Sequence, residues 1–113
     1  MSIMTSYNRI NGIHAANNFD TCTKAARCEW GFEGVIMTDW TTTNDGKKDC
    51  TASGCMRAGN DLVMPGMPDD AENLKKELDS GSLPKEDLQA CIARLVNVIW
   101  KSNRYEGAVP YCR

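Results

Sequence analysis

The sequence predicts an α/β fold of about three parallel βα units followed by a C-terminal amphipathic helix, and three observations carry that prediction. Segments 34–38, GVIMT, and 61–66, DLVMPG, hold short continuous apolar runs, the composition of strands buried on both faces. Stretches with helical spacing separate them from one another and from a first strand-like run at 2–8, SIMTSYN. Residues 82–102 then place Leu88, Cys91, Ile92, Leu95, Val96 and Ile99 at steps of three and four, a wide core-facing stripe on one helix. Strands and helices that alternate in this way pair in parallel through right-handed crossovers.

Taken in order, the first strand carries Ile3, Met4 and Tyr7 and gives way to a loop at Asn11-Gly12. Asn17 or Asn18 can cap the helix that follows. Asp20 suits its positive first turn, and Gly31 sits where a left-handed C-terminal residue belongs. Phe19, Cys22, Ala25, Ala26 and Trp30 are expected to form its buried face. The strand at 34–38 leads into a polar loop, TTTNDGKKD, and a short helix across CTASGCMRAG precedes the third strand, closed by Pro65-Gly66. DDAENLKKELDSG begins with acids at its positive end and stops at Gly81; its NLKKELD is expected to be a solvated face. Ser82 is the expected cap of the last helix, with Pro84, Glu86 and Asp87 in its first turn.

The chain of 113 residues, 42% hydrophobic and 25% charged, has the size and composition of one domain with a packed core. We assign residues 1–103 to that unit and 104–113 to a loose tail. A formal net charge of −2 gives no basic field for nucleic acid. No apolar run reaches the roughly 18 residues of a membrane span and no secretory leader opens the chain, so a soluble cytoplasmic protein without membrane partners is expected. Its start inside a strand suggests a piece of something larger.

Six cysteines are expected as reduced thiols. Their closest spacings, C-x5-C at 22/28 and C-x4-C at 50/55, are not those of a zinc site, and no metal, redox module or cofactor is implied. His14, the single histidine, reads as a solvated or locally bonded loop residue.

The stretch EWGFEGVIMTDW, 29–40, ends a buried strand on Asp39 followed by Trp40, a carboxylate and an indole side by side. A carboxylate at the C-terminal end of a parallel strand lies where barrel enzymes build their sites. MTSYNRING, AARCEWGFEGVIMTDW and AGNDLVMPG together resemble, in order and spacing, the last third of the catalytic barrel of glycoside hydrolase family 3, the β-glucosidase family, over about residues 2–100. The resemblance implies a partial TIM barrel: eight units need about 250 residues, and this chain holds three. A chain that ends near its last barrel helix is compatible with domain-permuted members.

The resemblance further implies retaining hydrolysis of a β-glucoside or oligosaccharide through a glycosyl-aspartate. Asp39 is the implied nucleophile, Tyr7 approaches it from the end of the preceding strand, Met4 matches a sugar-site methionine, and Trp40 stacks on the aglycone side. Residue by residue, plainer roles compete: Asp39 as a cap, Tyr7 and Trp40 as core aromatics, Met4, Met37 and Met64 as core fillers. Arg27 and Glu29 read as surface or helix-end ion pairs, and Asp61 as the organiser of the turn into the last strand. The family's Lys-His pair, its arginine, its early aspartate and a general acid have no counterpart here. Little turnover is therefore expected from the chain alone, which would need the rest of the barrel or self-association to cover its strand edges. The alternative is a non-catalytic relic that binds carbohydrate or a partner.

Overall fold

The computed structural model describes residues 1–102; the predicted tail lies outside them. Strand β1 (Ser2–Met4) is followed by an antiparallel hairpin, β2 (Arg9–Ile10) and β3 (Ile13–His14), and by a helix over Asp20–Glu29. Then come β4 (Val35–Trp40), α1 (Ala52–Ala58), β5 (Leu62–Met64), α2 (Pro68–Asp79) and α3 (Lys85–Trp100). The sheet has the order β1-β4-β5, all parallel, with Ile3 opposite Ile36 and Met4 opposite Met37. The predicted strand, helix, strand, helix, strand sequence is thus the observed one, a three-unit segment of a barrel.

Local chemistry explains the elements. Asn18, one of the two expected caps, accepts the Thr21 N–H at 3.0 Å, and the helix closes with Trp30 N–H on Ala25 O, an i to i−5 bond of π geometry. Thr51 caps α1 through the Gly54 N–H at 3.1 Å. Asp70 in the first turn of α2 accepts the Met67 N–H at 2.8 Å. The Asn11-Gly12 signal makes a tighter structure than a loop: both residues have positive φ (51° and 83°), which joins β2 to β3 in a two-residue hairpin.

Ile36 packs with Cys22, Ala26 and Ala58 on the helix-covered side of the sheet, and a second cluster joins Cys55, Met56, Leu83 and Cys91 beneath α2 and α3. Since strand side chains alternate, Met37 and its neighbour Met4 face the opposite, uncovered side.

Several further expectations are corrected. Phe19 and Trp30 do not join the buried face of their helix; Trp30 is 74% exposed. Only the small Cys22 and Ala26 reach the sheet fully buried, and β1 is an edge, so among the described residues nothing covers the helix ends beside it. On α3, Cys91 is buried but Ile92, Val96 and Ile99 are exposed, for the same want of a neighbour. Ser82 does not cap α3, whose helical residues begin after Pro84; its hydroxyl lies 3.0 Å from that of Ser80. NLKKELD is not merely solvated: Leu74 and Leu78 pack on the core, Asn73 accepts the Ser53 N–H at 2.9 Å, and Glu77 pairs with Arg57 at 2.6 Å.

Of its two expected roles Arg27 takes the helix-end one, an ion pair made inward and not at the surface. It reaches inward to Asp61, whose carboxylate is 0% exposed and accepts from Arg27 Nη2 at 2.6 Å, Arg94 Nε at 2.7 Å and the Ile36 N–H at 2.9 Å. Asp61 therefore ties the first helix, β4 and α3 together at the foot of β5, well beyond a turn. Glu29 is exposed. His14 is buried rather than solvated, and its Nδ1 accepts the Ala16 N–H at 3.2 Å.

Candidate active site

β4 advances three residues, Met37 to Trp40, while its partner β5 advances two, Leu62 to Met64. The extra residue is a bulge at Thr38-Asp39, a device that re-aims a side chain at a strand end. The ladder bond it interrupts is replaced by a side chain: the Met64 N–H donates to Thr38 Oγ1 at 2.9 Å. Beyond the bulge the chain turns sharply. Thr41 adopts φ 56°, its N–H donates to Met64 O at 2.9 Å, and Thr42 Oγ1 donates to Asp39 O at 2.8 Å. Asp39 is thus clamped on both sides of a strand end by backbone and hydroxyl contacts.

The Asp39 carboxylate is half-buried, and its Oδ1 accepts the Trp40 N–H at 2.7 Å. Tyr7, on the loop after β1, donates its hydroxyl to the Trp40 carbonyl at 2.7 Å. Desolvation of the ring and the neighbouring Asp39 carboxylate push the Tyr7 phenol above its usual value, so it remains a protonated donor at neutral pH. Tyr7 and Trp40 are 45% and 59% exposed, which places them at an open rim and not in the core. Met4 is exposed too, on the same face as Met37, two residues before Asp39. Of the four sequence-predicted residues, the structure draws Asp39, Tyr7 and Trp40 into one contact group. Met4 shares only their sheet face.

The arrangement offers an oriented carboxylate, a neutral phenol beside it and an exposed indole, at the C-terminal end of parallel strands. Such a set can hold a polyol by hydrogen bonds and stacking and can present a nucleophilic oxygen. Among the described residues, no cluster of three or more His, Cys, Asp or Glu side chains could hold a metal ion, and no helix is long and apolar enough to cross a membrane.

Thr38, Thr41 and Thr42 are supports that sequence reasoning missed. TDWTTT carries no periodic signal, and a bulge is a relation between two strands that neither strand records alone. Asn60 was missed for the same reason: its Nδ2 donates to Thr5 Oγ1 at 3.1 Å and Ala16 O at 3.2 Å, steadying the end of β1 from the foot of β5.

The profile of the family described as "Glycosyl hydrolase family 3 N terminal domain" matches residues 1–98. A β-glucosidase of Rhizobium radiobacter is 32% identical over 108 residues, which are 95% of this chain and 12% of that protein. An exo-α-(1→6)-L-arabinopyranosidase of Bifidobacterium breve is 45% identical over 64 residues, 57% of this chain and 8% of its own length. Among solved structures, β-glucosidase 3B from Thermotoga neapolitana in complex with glycerol superposes with a TM-score of 0.82 at 31% identity, covering 94% of this chain and 15% of that one. The chain spans a minor part of each of these relatives.

Proposed function

The chain belongs to glycoside hydrolase family 3, and from that membership we propose that it supplies the nucleophile strand of a retaining, β-glucosidase-like site. The observation that supports this best is the contact group at the end of β4, where the Trp40 N–H holds the Asp39 carboxylate and the Trp40 carbonyl accepts the Tyr7 hydroxyl on an open face. In the proposed reaction an Asp39 oxygen attacks the anomeric carbon as the bond to the aglycone oxygen breaks. That oxygen takes a proton from an acid outside this chain, and water later displaces Asp39. Tyr7, neutral and tied to the Trp40 carbonyl, holds the strand end beside the carboxylate; Trp40 offers its indole to the aglycone side, and Met4 borders the sugar.

Relatives named for β-glucosides and for an arabinopyranoside leave a pyranoside as the shared substrate class. The uncovered β1 edge and the exposed apolar side chains of α3 support a site completed by the remaining barrel units. Alone, the chain is expected to turn over little substrate.

The test is covalent labelling with an activated 2-deoxy-2-fluoro-β-glucoside, on the chain joined to or assembled with the missing units. A glycosyl mass on the peptide that holds Asp39, lost in Asp39→Asn, supports the assignment. Label on any other residue overturns it.

A further inference from the structure

Cys50 and Cys55 are invisible to each other in a C-x4-C spacing read for metals, yet the fold sets their sulfurs 3.8 Å apart and buries both. Their places explain why. With Thr51 as the cap of α1, Cys50 is the residue before the cap and Cys55 the fourth of the helix, the two positions whose side chains close over a helix start as an apolar staple. An aliphatic pair would serve that purpose equally well. Two further observations concern sulfur in particular.

First, the Asn17 side-chain amide lies 3.0 and 3.2 Å from the two sulfurs. Turned so that its oxygen accepts the Thr51 N–H at 3.1 Å and its nitrogen donates to Thr51 O at 3.3 Å, it presents an N–H to both sulfurs. A donor there suits a disulfide, which has no hydrogen of its own to place. Second, a groove of about 320 Å³, bordered by Asn44, Lys48 and Asn73, reaches Cys50. It gives a small reagent a way in, past Lys48 and the carboxylates of Asp69 and Asp70.

We propose that Cys50 and Cys55 form a reversible intrachain disulfide, a covalent staple across the start of α1, with a low-molecular-weight disulfide such as glutathione disulfide as oxidant. Cys50, at the groove, loses its proton and attacks one glutathione sulfur, expelling the first glutathione thiolate. Cys55 then loses its proton and attacks Cys50 Sγ of the mixed disulfide, expelling the second. Two thiols are oxidised, and one glutathione disulfide is reduced to two glutathiones. Hydrogen bonding to Cys50, together with burial, holds the Cys55 thiol well above its usual value, so Cys55 stays protonated while Cys50 reacts first. Closure from 3.8 Å to a bond of about 2.05 Å would draw the end of the 41–50 segment, which begins next to Asp39 and Trp40, onto α1.

The test equilibrates the purified chain in glutathione buffers of graded ratio, natively and in concentrated urea, followed by acid quench, alkylation and trypsin. Cleavage after Lys48 and Arg57 gives one peptide, DCTASGCMR, that holds both cysteines. The expected product is that peptide two hydrogens lighter and free of alkyl label, half-formed natively at a glutathione disulfide level at least about tenfold lower than in urea. Full alkylation across the range, arrest at a glutathione adduct, or equal native and urea midpoints would each overturn the proposal.

Discussion

The Tyr7 hydroxyl donates to the Trp40 carbonyl at 2.7 Å, so the loop after β1 and the end of β4 are joined directly beside the Asp39 carboxylate. The acceptor is exposed, and water can replace the phenol. Tyr7→Phe should therefore change stability by less than about 1 kcal/mol in a urea titration. In the assembled barrel, fluoroglycoside labelling should slow by at least about tenfold, or about 1.4 kcal/mol of activation energy. Unchanged labelling would remove Tyr7 from the site.

Asp61 carries the heaviest electrostatic load in the fold, with Arg27 and Arg94 both on its buried carboxylate. Asp61→Asn removes the charge and leaves two inward-facing guanidinium groups unbalanced. A loss of about 3–5 kcal/mol is expected in equilibrium unfolding, from the cost of uncompensated buried charge. A loss under about 1 kcal/mol would show that the pair is as well solvated as a surface bridge.

Acid should weaken the fold through two carboxylates. Hydrogen bonds from Arg57 hold Glu77 below the usual carboxylate value, and those from Arg9 do the same for Asp49. Both groups bind protons more readily unfolded than folded. Their stabilisation is complete above the unfolded values, about 4, and is lost as pH falls through the lower native ones. Glu77→Gln and Asp49→Asn should each flatten the acid limb of a stability profile below about pH 4.5 and leave the neutral plateau shape unchanged. Chemical denaturation at stepped pH reads this directly.

Ile92, Val96 and Ile99 form an exposed apolar row on α3. Val96→Glu should shift the chain toward monomer in sedimentation velocity at high concentration, with little change in unfolding midpoint, because the side chain is not in the core. An equal association state in both proteins would discount this face.

What could be read from the sequence divides along the range of the interactions. The three strands, the short helix within CTASGCMRAG and the placement of Asp39 at a strand end were legible because apolar runs, turn residues and the TDW stretch are local. The Arg27–Asp61–Arg94 cluster was not, since its neighbouring members lie more than 30 residues apart and none of them signals the pairing alone. The apolar periodicity of α3 was real but ambiguous: spacing shows which face seeks cover, and only the fold shows that Ile92 and Val96 lack it. Trp30 failed for the same reason at the β1 edge.

The bulge in β4 has a genetic corollary. Because the strand takes three steps to its partner's two, the heading of the Asp39 carboxylate is encoded in residue number as much as in residue type. An in-frame loss of the Thr38 codon would restore an even ladder and shift every later side chain of the strand by one place, turning inward-facing groups outward. The altered chain would keep the aspartate, the tryptophan and nearly all of its core, and its reading by motif would be almost intact. A silent lineage of this kind would be betrayed by its length alone.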